Sequence, residues 1–274
     1  MNRVQLPHQV AEPELQRALD CGELIRLYQP IVDLRTGAPV QVEALLRWDH
    51  HDRGLLAPGE FLVDEDDSRL LVRIGWSVVI EAARRAVMWR RAFPHRPITV
   101  SVNLFDSHLE RRDLPTRVSH LLEDHASGGP PLLAFEVGEH HLLERRSKTR
   151  DRLAVLRNLG SLVVIDDFGA AAATGDDDPD TLRDRAVETL STLGRFPLDV
   201  VKLDRDFTGR LGGEERLRAV VDAAHAADLV TVALAVEDEQ VADRVRRAGF
   251  DLAQGFYFAR PQRPSRIDEL LALG

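Results

Sequence analysis

The sequence predicts a single-domain α/β fold, a TIM-like (β/α)8 barrel with one antiparallel strand. Two observations predict it. Short apolar runs rich in β-branched residues alternate with longer amphipathic segments, which is typical of a parallel sheet whose strands are joined by helices. Eight such runs are present, and eight strand–helix units in roughly 250 residues favour a closed barrel.

Most of the predicted strands are continuous apolar runs, which indicates that both faces of the sheet are covered. The strands are predicted at 24–34, 40–48, 98–104, 132–137, 162–166, 199–204, 229–236 and 251–255. Only the turn at 35–39 separates the first two strands. Because this turn is too short for a parallel crossover, we expect those two strands to pair antiparallel.

Helical patterns occupy the segments between the strands, and several carry start or stop signals. Asp113 precedes one helix, while Gly160 and Gly249 follow two others. The helices are predicted at 70–93, 113–126, 142–159, 181–194, 214–228 and 238–249. No linker interrupts the pattern, so we expect an N-terminal extension at 1–12, one domain at 13–266 and a C-terminal helix end at 267–274.

Composition excludes several classes of function. The 274 residues include 36 Lys and Arg against 45 Asp and Glu, and the net charge of −9 argues against non-specific binding to nucleic acid or anionic lipid. Cys21 is the only cysteine, which excludes an intramolecular disulfide and fits a reducing cytosol. Neither an apolar run of about 18 residues nor a secretory signal is apparent. We therefore expect a cytoplasmic protein with no nucleic-acid or membrane partner.

Polar residues lie inside or directly after seven of the apolar runs. A polar side chain in such a run is costly unless it is paired or bound to a ligand, and the chemistry of a barrel lies at the carboxyl ends of its strands. Oxygen ligands of this kind suit Mg²⁺, Mn²⁺ or Ca²⁺. Any one of them alone could be a paired barrel residue or a helix N-cap, but the set is interpreted as a site. It comprises Gln29, Glu43, Asn103, Glu136, Asp166, Asp167, Lys202 and Gln254.

Seven segments, in one order along the chain, resemble the EAL domain family. They are YQPIVDLRTG (28–37), EALLRW (43–48), SVNL (101–104), FEVGE (135–139), IDDFG (165–169), LDVVKLDRDF (198–207) and AQGFYFARP (253–261). The resemblance runs from about Leu15 to Pro264. It implies a β/α barrel with one antiparallel strand. It also implies descent from metal-dependent phosphodiesterases that open the bacterial second messenger cyclic di-GMP to linear pGpG.

The resemblance also implies roles for individual residues. The implied ligands of a Mg²⁺ or Mn²⁺ ion are Glu43, Asn103, Glu136 and Asp166, with Asp167 as the second-metal and water-positioning aspartate. Lys202 matches the active-site lysine of the family, and Gln254 matches a glutamine beside the second metal. Gln29 and Arg47 match residues that contact the dinucleotide, and a bidentate contact between guanidinium and phosphate suits Arg47. The implied ligand-binding set is Gln29, Arg47, Asn103, Lys202 and Gln254.

The sequence departs from the family pattern at the end of the seventh strand. The motif A-E-G-V-E reads VALAVED at 232–238, so Leu234 stands where the family has its proposed general base. Leucine can neither accept a proton nor bind a cation, and loss of a positioned base typically costs ~10²–10⁴ in rate. Glu237 lies three residues further on and is expected to face the other side of the strand. Gly138 also replaces the threonine of the family's E-x-T-E motif.

A second departure follows Asp167. The loop that caps the family's site is replaced by the longer stretch AAAATGDDDPDTLRDRAVETL at 170–190, which adds acidic residues at 176–178 and 180. These charges are expected to repel a ligand with two phosphates, and 174–180 is predicted to be a solvated, disordered loop. Family dimers rely partly on the replaced loop, so a homodimer stays an open alternative.

Three functional hypotheses follow. The leading one is a degenerate, catalytically inactive EAL domain that binds cyclic di-GMP and serves as a regulatory module. The second is a weak metal-dependent phosphodiesterase in which Asp167 or a rearranged acid activates water. The third is a nucleotide-independent interaction domain that presents the altered stretch at 170–190 to an unknown protein partner.

Overall fold

The computed structural model describes residues 11–62, 69–109, 111–124, 133–144 and 146–273. In these ranges, nine strands form one sheet in the order β1-β9-β8-β7-β6-β5-β4-β2-β3. The strands are β1 (Leu24–Asp33), β2 (Pro39–His50), β3 (Gly54–Leu56), β4 (Thr99–Asn103), β5 (Leu133–Gly138), β6 (Leu162–Phe168), β7 (Val200–Leu203), β8 (Val230–Ala233) and β9 (Leu252–Ala253). Because β1 pairs with both β2 and β9, eight strands close into a barrel, and β3 lies outside the ring. The predicted fold is confirmed.

One strand of the barrel is antiparallel, as predicted. β1 runs antiparallel to β2, with Leu24 opposite Trp48, and antiparallel to β9, whereas the pairs from β2–β4 to β8–β9 around the ring are parallel. The turn between β1 and β2 is closed by Asp33, whose Oδ1 accepts hydrogen bonds from the amides of Arg35 and Thr36 at 2.9 and 2.7 Å. Gly37 has a φ of 73° in the same turn, a conformation that favours glycine.

Helices cover the outside of the barrel. They are α1 (Glu12–Asp20), α2 (Arg69–Ala92), α3 (Asp106–Leu109), α4 (Leu114–Asp124), α5 (Glu139–Glu144), α6 (Arg146–Asn158), α7 (Ala170–Ala173), α8 (Pro179–Leu193), α9 (Arg205–Leu211), α10 (Glu214–Ala226), α11 (Glu239–Ala248) and α12 (Pro264–Leu273), with a 3₁₀ turn at Pro58–Glu60. α12 continues across the predicted limit at 266, with Ile267 and Leu271 buried. The domain limits stay a prediction, and residues 1–10 of the extension lie outside the described residues.

The barrel interior holds its own small apolar cluster. It consists of Ile31, Ala134, Val164, Val200 and Val232, one residue from each of five strands. A larger core lies between the sheet and the helices. Since side chains on a strand alternate between its faces, the residue two positions after a cluster member also points into the barrel. The alternation therefore places polar side chains at the carboxyl end of the barrel, directly above the apolar cluster.

Residues 174–178 form a mostly exposed turn between α7 and α8, as expected for a solvated loop, but Asp180 already lies in α8, so the predicted loop at 174–180 extends too far. Asp178 caps α8, and its side chain accepts hydrogen bonds from the backbone amides of Asp180 and Thr181. Asp177 pairs with Arg185, and Asp180 forms ion pairs with Arg183 and Arg216. Three of the four acids therefore cap a helix or pair with arginines, and none of the four lines the barrel cavity described below.

One arginine fastens this stretch to the neighbouring helix. Arg210 of α9 donates hydrogen bonds to the carbonyl oxygens of Ala172, Ala173 and Asp177 at 3.1, 2.6 and 2.7 Å. Two of these carbonyls lie at the end of α7, where the helix itself leaves them unsatisfied. The chain that follows β6 is thereby held against the outer layer of the barrel.

Candidate functional site

Four parallel strands each place a polar side chain directly above the apolar interior. Each follows an apolar residue of the barrel interior by two positions. They are Glu136 of β5, Asp166 of β6, Lys202 of β7 and, directly after β9, Gln254, which follow Ala134, Val164, Val200 and Leu252. β8 is the exception, because the residue two positions after Val232 is Leu234, which is apolar. The carboxyl end of the barrel therefore carries a polar layer with one apolar position in it.

Lys202 lies at the centre of this layer. Its side chain is completely buried, and its Nζ lies 2.5 Å from Glu136 Oε1, 2.8 Å from Glu43 Oε2 and 3.6 Å from Asp166 Oδ1. Three carboxyl groups from three strands thus surround one ammonium group. A buried ionic cluster of this kind is tolerated only when its charges are paired.

Glu43 joins the two sides of the layer. Besides Lys202, its carboxylate accepts hydrogen bonds from Asn103 Nδ2 at 3.2 Å and from Gln254 Nε2 at 2.9 Å. Gln254 Nε2 also lies 3.3 Å from Gln29 Oε1, and Gln29 Nε2 donates to the carbonyl of Ala259. Residues more than two hundred positions apart in sequence therefore form one hydrogen-bonded network.

The protonation states follow from burial and charge. Burial would lower the pKa of Lys202, but the charges of Asp166, Glu136 and Glu43 outweigh it and hold that pKa well above its usual value. Burial and the charge of Glu43 raise the pKa of Glu136 well above its usual value. For Glu43, the opposing attraction of Lys202 outweighs burial, and the pKa is lowered. The lysine and Glu43 are thus charged, whereas Glu136 is held towards its neutral form.

Asp166 and Asp167 both line the cavity above the layer, although they are adjacent in sequence. Asp167 has a φ of 51°, and the pairing of β6 with β7 is irregular at this point, so the strand direction is lost between the two residues. Burial and the charge of Asp166 raise the pKa of Asp167 to about 6. Burial also raises the pKa of Asp166, against the attraction of Lys202.

The cavity at the barrel mouth has a volume of about 380 Å³. It brings together seven residues that the sequence analysis singled out, namely Gln29, Glu43, Arg47, Asp166, Asp167, Leu234 and Gln254. Asn103, Glu136 and Lys202 do not line it but reach it through their contacts with Glu43 and Asp166. Five further lining residues have no signal in the sequence, namely Leu45, Ala235, Gly255, Phe256 and Pro261, and the remaining one is Glu237.

Glu237 faces the cavity, so the expectation that it points away is wrong. That expectation assumed a continuous strand, but β8 ends at Ala233, and Ala235 has a φ of 51°. The chain turns at this point, and the strand alternation no longer applies. Glu237 forms an ion pair with Arg205 at 2.6 Å while lining the cavity.

Leu234 continues the apolar interior into the cavity. Its half-buried side chain packs against the interior cluster of five residues, and it lines the cavity beside Asp167. No ionisable group therefore occupies this position of the polar layer. The only carboxylate that the chain brings to the cavity after β8 is that of Glu237, among the described residues.

The donor atoms of the layer fit a divalent cation. Glu136 Oε1 faces the ammonium of Lys202 at 2.5 Å, whereas Glu136 Oε2 and Gln254 Oε1 are buried and have no hydrogen-bond donor among the described residues. Unsatisfied buried oxygens of this kind are what a hard cation binds. The ammonium of Lys202 lies among the carboxylates. The residues present thus suit Mg²⁺ or Mn²⁺ by type and by unused oxygen atoms.

A group of His50, His51 and Asp52 lies on the outside of the barrel, with ligand atoms within 4.8 Å of one another. His50 is buried, and its ring packs at a tilt against Trp48 with centroids 4.8 Å apart. Its Nδ1 accepts hydrogen bonds from the amides of Asp52 and Arg53, and its Nε2 faces Glu14. Both ring nitrogens of His50 are engaged, so this group is not a metal site.

The fold and the polar layer together define an α/β barrel with a cluster of acidic and amide side chains at its mouth, and comparison with known families identifies it. The model of the EAL domain family matches residues 12–176 and 184–261. The chain therefore belongs to the EAL domain family. The match is interrupted at 177–183, inside the stretch at 170–190 where the sequence departs from the family.

Relatives of known sequence and structure support the same assignment. Cyclic di-GMP phosphodiesterase RocR of Pseudomonas aeruginosa is 31% identical over 272 residues, covering 94% of this chain and 64% of RocR. The structure titled PaMucR phosphodiesterase, c-di-GMP complex, has 30% identity and a TM-score of 0.79, covering 93% of this chain and 98% of that one. The EAL domain of Mycobacterium smegmatis DcpA has 29% identity and a TM-score of 0.71, covering 92% and 98%.

Some relatives are much longer than this chain. The chain spans 29% of protein y4lL of Sinorhizobium fredii, to which it is 33% identical over 261 residues. It spans 32% of cyclic di-GMP phosphodiesterase NbdA of Pseudomonas aeruginosa. Within the described ranges, every helix is too short or too polar to cross a membrane.

Proposed function

We propose that this EAL domain binds cyclic di-GMP and hydrolyses it slowly or not at all, so that it acts as a receptor for the messenger. The observation that carries the proposal is the apolar side chain of Leu234 beside an otherwise complete polar layer. RocR is a cyclic di-GMP phosphodiesterase by name, and PaMucR was solved with the dinucleotide. The similarity of those proteins supports the choice of ligand.

The cavity offers groups that suit a cyclic dinucleotide. Arg47 is the one arginine lining it among the described residues, and its half-buried guanidinium suits a phosphate. Gln29 and Gln254 present amide groups at the floor, and Phe256 is a partly exposed aromatic ring at the rim. The ring of Phe256 carries Arg260 at 4.2 Å from its centroid, which adds positive charge near the mouth.

A divalent cation would be held by Glu43, Asn103, Glu136 and Asp166, with Asp167 beside it. Such an ion supplies positive charge that offsets the repulsion between the carboxylates and the phosphates of the ligand. Lys202 then contributes a second fixed positive charge beneath the cavity. We infer that binding of the dinucleotide is strengthened by Mg²⁺ because four carboxyl groups otherwise face its phosphates.

Hydrolysis needs a group that takes a proton from the attacking water. Leu234 cannot do so, and its isobutyl group also keeps the interior cluster apolar at this point. A positioned base contributes about 10²–10⁴ in rate. The proposal therefore expects turnover lower than that of active relatives by about this factor.

The test measures binding and turnover separately. Isothermal titration with cyclic di-GMP, with and without Mg²⁺, is expected to give binding that Arg47→Ala weakens. Chromatography of pGpG formed with Mn²⁺ is expected to show little product for the wild type and more for Leu234→Glu. Leu234→Gln is the matched control, because glutamine has the same shape as glutamate but cannot accept a proton from water. Absence of binding, or rapid hydrolysis by the wild type, would overturn the proposal.

A weak phosphodiesterase is the second candidate function, and one observation favours it. Asp167 has a pKa of about 6 and lines the cavity, so its carboxylate is a better proton acceptor than an ordinary aspartate. Glu237 brings another carboxylate to the same cavity. If residual turnover comes from these groups, Asp167→Asn or Glu237→Gln abolishes it. If both variants retain it, the second candidate is rejected.

A further inference from the structure

A second cavity lies on the outer helical layer, away from the barrel mouth. It is a groove between α1, α2 and α4, with a volume of about 1070 Å³, and it shares no lining residue with the barrel cavity. Pockets that bind small molecules commonly have volumes of about 300–1,000 Å³. The groove is therefore large enough for an organic ligand.

The charge of the groove contrasts with that of the chain. The whole protein has a net charge of −9, but the lining contains four arginines, one histidine and one aspartate. The arginines are Arg69, Arg73, Arg111 and Arg117. A local positive field on an acidic protein attracts anions specifically to that place.

These arginines are not all neutralised. Arg111 and Arg117 share Asp113, and Arg73 contacts Gln16 and, at 3.4 Å, Asp20. Arg69 has no ion-pair partner among the described residues. Among the described residues, two carboxylates thus serve three arginines, and the guanidinium of Arg69 has no carboxylate partner. The groove keeps an excess of hydrogen-bond donors over acceptors.

Two further donors in the groove are buried without a partner. Trp76 and Ser107 are 7% and 9% exposed, and neither Trp76 Nε1 nor Ser107 Oγ has a hydrogen-bond partner among the described residues. Arg117 lies over the Trp76 ring at 4.9 Å from its centroid. Buried donors are normally paired, because leaving one unpaired costs free energy. Such donors in a basic groove point to an acceptor-rich ligand.

Apart from Ser77, the remaining lining among the described residues is apolar. Leu19, Val72, Ile80 and Leu121 line the groove, and Ile80 is 37% exposed. A ligand that suits both parts has an anionic head for the arginines and an apolar or aromatic body for these side chains. Phosphate suits the head, because planar guanidinium groups bind its oxygens in pairs.

We propose that the groove between α1, α2 and α4 is a binding site for a small organic phosphate, separate from the barrel cavity. The inference goes beyond the proposed function and does not depend on it. Its ligand is recognised through the four arginines, the Trp76 N–H and the Ser107 hydroxyl.

The test uses three probes in EDTA, so that no divalent ion assists binding at the barrel mouth. The probes are tripolyphosphate as the head alone, adenosine triphosphate as head with aromatic body, and adenosine as body alone. Isothermal titration is expected to give binding of the two phosphates and none of adenosine. Tighter binding of adenosine triphosphate than of tripolyphosphate supports an organic ligand, and equal binding supports the head group alone as the recognised part.

Variants then locate the binding. Arg69→Ala is expected to weaken it about tenfold, since one charge-assisted contact is lost. Arg84→Ala is the matched control, because Arg84 is an exposed arginine of the same helix outside the groove. Arg47→Ala, in the barrel cavity, is also expected to leave this binding unchanged.

Ser107→Ala separates a ligand contact from a structural role. The Ser107 hydroxyl has no hydrogen-bond partner among the described residues. The Ser107→Ala variant is therefore expected to keep the Tm of the free protein while binding phosphate more weakly. Equal weakening by Arg69→Ala and Arg84→Ala, or loss of binding in Arg47→Ala, overturns the proposal.

Discussion

The carboxyl ends of β6 and β8 lie on either side of β7 at the barrel mouth and differ in one respect. Both have a non-glycine residue with a φ of 51°, Asp167 after β6 and Ala235 after β8, so both strands end in the same kind of backbone turn. β6 brings two carboxylates to the cavity, whereas the equivalent position after β8 is Leu234. The two strands therefore end in a similar backbone conformation, but at these positions only the end of β6 carries ionisable side chains.

This difference separates two requirements of the site. Charges at the end of β6 are tied to Lys202 and are part of what holds the barrel together. The position after β8 has no such partner, so a carboxylate there would serve chemistry alone. Under the proposed function, the apolar residue at that position lacks a catalytic group without costing a structural contact.

The largest expected effect is on the β6 side. Lys202→Met leaves Glu43, Glu136 and Asp166 without their shared cation, and breaking a buried ion pair from one side costs about 3–5 kcal/mol. Urea unfolding at pH 7 in EDTA measures this loss. Arg205→Met removes a cation of an exposed pair and is expected to cost less than about 1 kcal/mol. Equal effects of the two variants would contradict the central role of Lys202.

The next effect is on the β8 side. Leu234→Glu removes apolar contacts and adds a charge beside Asp166 and Asp167, so we expect a loss of about 1–3 kcal/mol at pH 7. The neighbouring charges raise the pKa of the introduced carboxyl, so the loss shrinks as the pH falls. Leu234→Gln loses the same contacts without a titrating group. Unfolding free energies at pH 5 and pH 8 that shift in parallel for both variants would reject this explanation.

A smaller effect concerns the titration of Asp167. Its pKa is about 6 in the folded protein against 3.8 ordinarily, so the protonated form is favoured by folding. The stability that this provides is present below about pH 4 and is lost as the pH rises through 6. Relative to Asp167→Asn, the wild type is expected to lose on the order of 1 kcal/mol over this range, because solvent screens the charge. Urea unfolding across pH 4–7 that gives no change in this difference would contradict the expectation.

The smallest effect is on the turn after β8. Ala235 has the left-handed conformation, which costs about 1 kcal/mol for a residue with a Cβ. Ala235→Gly relieves this cost but loses backbone entropy on folding, so a net gain of roughly 0.5 kcal/mol is expected. Ala233→Gly, within β8, has no such strain to relieve and is expected to destabilise. Thermal unfolding of both variants tests the opposite signs.

Much of the site could be predicted from the sequence because the barrel obeys a period of two. Glu136, Asp166 and Lys202 each interrupt an apolar run at a position that faces inwards, and no other explanation accounts for all three. Their mutual contacts could not be predicted in the same way. Which carboxylate lies nearest to Lys202 depends on differences of about 1 Å between distances of 2.5, 2.8 and 3.6 Å, and sequence spacing does not contain that information.

The errors came from assuming regular structure beyond its end. Glu237 was placed by strand alternation, but β8 had already ended at Ala233. The acids at 176–178 and 180 were interpreted by composition alone, although Asp178 followed by Pro179 is a helix start signal. Arg183 and Arg185 of α8 and Arg216 of α10 are their arginine partners, and composition does not reveal these pairs.

The hydrogen bonds of Arg210 affect the rate at which a ligand enters and leaves the barrel cavity. It fastens the segment after β6 through three carbonyl oxygens, so that segment has little freedom to fold over the barrel mouth. Entry and exit of a dinucleotide would then need no slow closure step. With an accessible cavity, a receptor of the proposed kind binds and releases the messenger promptly as its concentration changes.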